Sequence, residues 1–381
     1  MRIREVNSPS GIRLAGKFGT AFGQLATVCL LVVACAAQNP PGVLYSTTIP
    51  YSNGQLPPTV SAIEADSAGN SYVIGSVSTN ELAGTPGVLQ PSFGGSNANP
   101  FAANAFVAKF DSNGTPVFLT YLGGSGSDLG TSILVDEAGH IFVGGTTTSS
   151  NFPLAGSPYR PALPSQPWNE ALTFIAEISN DGKTLIWSTV LNETSPRLAL
   201  GPDGSVYDLA ATLEFGSNGL PQGTTLTKLT SSGQFVARLN TPLGTRGLAV
   251  GANGSPCIGG AANTNDISAT PDAWQTTFAG SSEGFVAQLN DALSGYTWAT
   301  YIGTGTAALL LAPVPDGSLW VTGSTASSTS FPVSPSALQS QSSPYDGGGF
   351  LVRLSADGSQ AISATYLPIP PSSISFIRPG T

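Results

Sequence analysis

One histidine and three cysteines are all the nitrogen and sulfur metal ligands that 381 residues offer. Cys29 and Cys35 lie in an apolar N-terminal segment, so Cys257 stands alone in the remainder and no internal disulfide can form there. A zinc site needs three or four such ligands gathered together, which this inventory does not supply. His140 follows Gly139 where sister segments carry Asn70, Ser205, Ser255 and Ser318, so it reads as an exposed hairpin residue. No serine is placed beside it for a Ser–His–Asp triad. Charged residues are scarce too, at 9%. Removing the first 37 residues, with four Lys/Arg and one Glu, takes the net charge from −9 to −12. Clustered Lys/Arg are absent, which excludes nucleic acid and anionic membrane surfaces as expected partners. Helical periodicity is missing beyond the N-terminus, and the longest apolar run, Leu25–Ala37, is too short for a bilayer, where about 20 residues are needed.

What is present is glycine, proline and aromatic residues: 46 Gly, 30 Pro, 17 Phe, 10 Tyr and 5 Trp, in a chain that is 40% hydrophobic. That is the composition of a packed, turn-rich protein. The N-terminus reads as an export signal over residues 1–37. Arg2, Arg4, Arg13 and Lys17 precede the apolar run, and Gln38-Asn39-Pro40 follows it. Cleavage before Gln38 competes with a lipobox-like reading of Val32–Cys35, which would lipidate Cys35.

Residues 38–381 are dominated by internal repetition. A strand with period-2 alternation recurs at 105–110, 173–178, 225–229, 284–289 and 349–354. A hairpin with a turn glycine recurs at Gly69, Gly139, Gly204, Gly254 and Gly317, spaced by 70, 65, 50 and 63 residues. A third strand recurs at 118–122, 186–191, 298–302 and 362–367, with 43–49 as a degenerate first copy. Four short strands per unit of 50–70 residues give an all-β chain, a β-propeller of about five four-stranded antiparallel blades. The units run over about 60–124, 132–191, 197–243, 247–303 and 307–367. Five blades are expected to close into a disc, with the spare strand at 43–49 lying peripherally or pairing with another chain. An open arc, part of a six- or seven-bladed ring, is the alternative.

The stretch from Phe106 to Pro153, with Phe-Val-Ala-Lys-Phe-Asp-Ser-Asn-Gly, Thr-Tyr-Leu-Gly-Gly-Ser-Gly-Ser-Asp and Asn-Phe-Pro, resembles the bacterial SBBP β-propeller repeats. The segment ending Ser-Phe331-Pro332 is a second good copy, whereas units three and four depart from the pattern. The resemblance implies a propeller in a secreted or cell-surface protein and carries no catalytic motif.

Candidate chemistry is thin. Asp66, Asp136, Glu137, Asp203 and Asp316 sit in or beside the repeated turn, where Asp bonds its own backbone. Asp128 lies off it but follows the repeat. Residues 123–130 are Gly-rich without the Lys-Ser/Thr of a phosphate loop. The expected role is therefore a non-catalytic, extracytoplasmic binding or scaffold module for a glycan, polymer or protein partner, without cofactor or metal. Its inter-strand loops should crowd one face and present Tyr159, Trp168, Trp274, Phe278 and Tyr345, together with Phe93. A carbohydrate-active hydrolase or lyase using paired carboxylates is the alternative.

Overall fold

The computed structural model describes residues 28–34, 42–49, 58–80, 82–95, 101–160, 171–212, 223–265, 267–278, 280, 282–326, 331–341 and 348–368. These residues are all strand, turn and loop. Val28–Ala34 (β1) pairs with Gly42–Ile49 (β2) in a separate two-stranded sheet. The spare strand foreseen at 43–49 thus lies outside the blades.

Blade one is β3–β6 (Thr59–Ala65, Ser71–Val77, Asn104–Phe110, Pro116–Leu122). Blade two is β7–β10 (Asp128–Val135, Ile141–Thr147, Leu172–Ile178, Leu185–Leu191). Blade three is β11–β14 (Glu193–Leu200, Val206–Thr212, Thr224–Leu229, Phe235–Thr241). Blade four is β15–β18 (Thr245–Val250, Pro256–Ala262, Glu283–Leu289, Tyr296–Thr304). Blade five is β19–β22 (Thr306–Pro313, Leu319–Thr325, Gly348–Leu354, Ala361–Leu367). Each is a four-stranded antiparallel meander, so the chain is a propeller-type stack of five blades.

The local reasons recur in every blade. The first hairpin turns on a glycine in the left-handed region: Gly69, Gly139, Gly204, Gly254 and Gly317 have φ of 83°, 83°, 78°, 79° and 84°. At the first turn, Asp66 Oδ1 accepts the backbone N–H groups of Ala68 and Asn70 at 3.0 and 2.9 Å. Every inner strand also carries a bulge, as between Gly130 and Ser132. The bulge presses the inner strand onto its neighbour. A Cβ on Gly145 would meet the Leu129 carbonyl oxygen at 2.0 Å, so only glycine fits.

Successive blades pack face to face, with β3 on β7, β7 on β11, β11 on β15 and β15 on β19. The core follows suit. One apolar cluster joins blades one and two, a second joins two and three, a third joins three and four, and a fourth joins four and five. Among the described residues no cluster joins blade five to blade one. A fifth cluster, with Val73, Phe106 and Ala108, buries the rear face of blade one.

The loops between second and third strands do not simply crowd one face. In blades one, two and four their described parts run back along the outer strand of their own blade and strap it to the next. In blade one, Thr85 N–H donates to Leu119 and Tyr121 N–H donates to Gln90, while Leu89 N–H donates to Gly182 of blade two at 2.9 Å. Tyr159 N–H reaches Gly233 of blade three at 2.8 Å, and Trp274 N–H reaches Gly358 of blade five at 3.0 Å. The physical reason is the free edge of each outer strand, whose unpaired N–H and C=O groups the loop satisfies.

Candidate functional site

Of the residues singled out from the sequence, Trp274 packs against the next blade, whereas Phe278 and Phe93 pack within their own. Trp274 stands edge-on to Phe331 at 6.2 Å and supports the blade four–five core. Phe278 packs on Tyr301 at 5.7 Å, and Phe93 on Tyr121 at 6.1 Å. Trp168, Tyr345 and Cys35 lie outside the described residues. Cys257 is buried, which pushes its thiol up to about 12. His140 keeps its turn position, with Nδ1 3.1 Å from Asp136 Oδ2 and 3.4 Å from Glu177 Oε1.

Asp128 is buried and fully engaged. It accepts from Gly124 N–H at 2.8 Å, Asn104 Nδ2 at 3.1 Å, Thr147 Oγ1 at 2.5 Å and Ser149 Oγ at 2.8 Å. Burial raises its pKa against those bonds. A carboxylate bound so completely ties blade one to blade two and has no oxygen left for a substrate.

Blade three breaks the pattern. On the face that each blade turns toward its predecessor, the second strand carries Val73, Val143, Ile258 and Val321, but here Asp208. The third strand carries Phe106, Phe174, Phe285 and Phe350, but here Thr225. Two positions on, Thr227 replaces Ala108, Ala176, Ala287 and Val352. Val206 and Leu229 share that face and sit in the blade two–three core, which places the polar group in that seam.

Glu193, at the start of β11, occupies the station of Asp128 in blade two, since each pairs with a threonine of the neighbouring strand (Thr212, Thr147). Its Oε1 lies 2.7 Å from Arg238 Nη2 and accepts Thr225 Oγ1 at 3.0 Å and Thr227 Oγ1 at 3.5 Å. Arg238 Nε also donates to Thr227 Oγ1 at 2.9 Å. The second oxygen, Oε2, is buried without a partner, and so are both oxygens of Asp208 and Oγ1 of Thr173. Thr173 lies on β9, beside Ile175 of the same seam. Four of the five buried side-chain oxygens without a partner therefore belong to this one seam.

Each buried acceptor left so costs about 1–3 kcal/mol, so the cluster is not a packing convenience. Burial, and then the charge of Glu193, push the Asp208 carboxyl well above the usual range. Burial also raises Glu193, against the pull of Arg238. Sequence reading passed over this group because it judged carboxylates by their turns. The signal available was a charged residue at a position where four sister strands are apolar.

Above this seam lies the most exposed outer strand. Phe235 and Val236 of β14 are 43% and 45% exposed, and the Phe235 ring lies 5.0 Å from that of Tyr159, with exposed Arg160 adjacent. Among the described residues no group of three or more His, Cys, Asp or Glu is arranged to hold a metal, and no helix is long and apolar enough to cross a membrane.

Five four-stranded meanders stacked through their faces define a β-propeller repeat protein. Residues 117–153 match the SBBP beta-propeller repeat, which spans the end of blade one and the first hairpin of blade two. A solved structure from Bacteroides caccae, of a protein of unknown function, is 11% identical and matches over 94% of each chain with a TM-score of 0.41. The β-propeller domain of the Trilobed protease from Pyrococcus furiosus, which has an open velcro topology, is 8% identical over 80% of this chain and 70% of its own, with a TM-score of 0.44. A Synechocystis apocarotenoid oxygenase mutant is 11% identical over 89% of this chain and 70% of its own, with a TM-score of 0.46. No curated protein matched the sequence.

Proposed function

We propose that the protein is an exported propeller module that binds an external glycan through the rim of blades two and three. The observation that carries this reading is the Tyr159–Phe235 pair, continuous with Val236 and flanked by Arg160. Exposed aromatic rings offer flat apolar faces to the C–H faces of a sugar, and an adjacent guanidinium supplies donors for its oxygens. Export is supported by the basic and apolar N-terminal residues alone. The carboxylate pair of blade three does not favour the hydrolase alternative, because Asp208 is fully buried and cannot touch a substrate.

The test is a polysaccharide-binding panel run on the exported protein, whose mass also gives its N-terminus near Gln38 or a lipid on Cys35. Phe235→Ala and Phe235→Ala combined with Val236→Ser are expected to weaken binding at least tenfold with unchanged circular dichroism and melting temperature. Unaltered affinity in the double variant, or hydrolysis of the panel without retention, would sink the proposal.

A further inference from the structure

The buried polar group of blade three calls for a positive charge that the protein does not itself provide. Two carboxylates, Asp208 and Glu193, face one guanidinium, Arg238. The imbalance sits where water cannot relieve it. Three carboxylate oxygens and the Thr173 hydroxyl make no hydrogen bond of ordinary geometry there, and the wholly buried Asp208 has only the neighbouring Glu193 carboxyl and the Arg197 backbone N–H beside it. We propose that the seam between blades two and three takes up a hard cation, held by the carboxylate of Asp208 and the free oxygen of Glu193.

The chemistry of the donors selects the class of ion. All are oxygens, the set that suits sodium or calcium; Cys257 lies on β16 and His140 in the first turn of blade two. The repeat argues the same way. Four sister blades fill the stations of Asp208, Thr225 and Thr227 with valine, isoleucine, alanine and phenylalanine, so the fold does not need a carboxylate at Asp208. Arg238, partly exposed on the outer strand, already closes one side of Glu193 and leaves its other oxygen free. The ion would therefore tie β11 to β12 at the seam, a structural role separate from the glycan-binding rim.

The protein is stripped with a chelator into choline chloride at about pH 7.5, and calcium and sodium are added in separate arms at matched ionic strength. One of the two ions is expected to raise the melting temperature saturably, and equilibrium dialysis to find about one ion per chain. The rise is expected to persist in Asp272→Asn, an exposed control, and to vanish in Asp208→Asn. If Asp208→Asn does not fold, Glu193→Gln and dialysis of the unaltered protein decide the matter. Absence of bound ion, or an equal response in wild type and Asp208→Asn, overturns the proposal and leaves a proton shared by the two carboxyls.

Discussion

At the scale of residues, charge placement gives the protein two opposed pH dependences. Asp208 and Glu193 have raised folded pKa values, caused first by burial, so the protonated form is favoured in the fold. The stability they contribute is fully present below the ordinary carboxylate range and is lost as pH rises through the raised values. The turn carboxylates act the other way. Hydrogen bonds from Ser318 lower Asp316, and those from Ser355 hold Asp357 at about 2. Their contribution is present above the ordinary range and is lost as pH falls. Urea unfolding of the ion-free protein should therefore show a maximum between an acid limb and a decline that begins above about pH 4. Arg238 is the charged group facing the pair. Asp208→Asn is expected to flatten the decline and leave the acid limb in place. An unchanged upper limb in that variant would mean that the pair does not titrate as a unit with the fold.

At the scale of elements, the blades are joined by two devices, a strap and a bolt. The strap is the loop already described. The bolt is an aromatic side chain on the outer strand that reaches into the next blade's last turn. Trp187 Nε1–H donates to the Ser231 carbonyl at 3.0 Å, and Trp298 Nε1–H to that of Ala356 at 2.9 Å. Phe118 lies at the same station against Gly182. In blade five that station is Ser363, and in blade three Ala237. Trp298→Ala removes a buried indole and its hydrogen bond, and is expected to cost about 3–5 kcal/mol in unfolding free energy. Ser363→Trp should change it by no more than about 0.5 kcal/mol, because no described turn lies where a bolt would enter. A large gain from Ser363→Trp would reveal a fifth seam. The strands and turn glycines were legible in the sequence because period-2 alternation and Asp-Gly or Asn-Gly pairs are local signals. Bolts and straps were not. Trp187 and Trp298 look like any apolar strand residue, and Trp274 looked like a ligand contact, because their partners lie 44, 58 and 84 residues away. Asp208 was hidden for the opposite reason. It follows no turn and resembles no motif, and only alignment of the five strands exposes it.

At the scale of the whole molecule, the same two devices decide where the stack ends. Leu338 is the strap residue of blade five, equivalent to Leu89, Tyr159 and Trp274, and it is 90% exposed with no partner among the described residues. The forward face of that blade is less deeply covered than those of its sisters. Trp320 stands where Tyr72, Phe142, Tyr207 and Cys257 are buried, yet it is only half-buried, and Leu351 contrasts in the same way with Val107, Ile175, Leu226 and Val286. Arg353 stacks over Trp320 at 5.9 Å and pairs with Asp316 of its own blade at 2.5 Å. Its counterparts behave differently, since Lys109 binds Asn180 and Lys228 binds Asp291, each in the following blade. A strap without an anchor, a bolt reduced to serine and a cation turned back on its own blade set blade five apart from its sisters, while the rear face of blade one, with Val73 and Phe106, is fully buried. Single-tryptophan variants make this measurable. Acrylamide should quench a variant retaining Trp320 several-fold more efficiently than one retaining Trp187, which is buried between blades two and three. In a closed disc the two would be shielded alike, because blade one would cover Trp320 as blade three covers Phe142. Equal quenching, with both variants folded, would therefore restore the closed five-bladed ring.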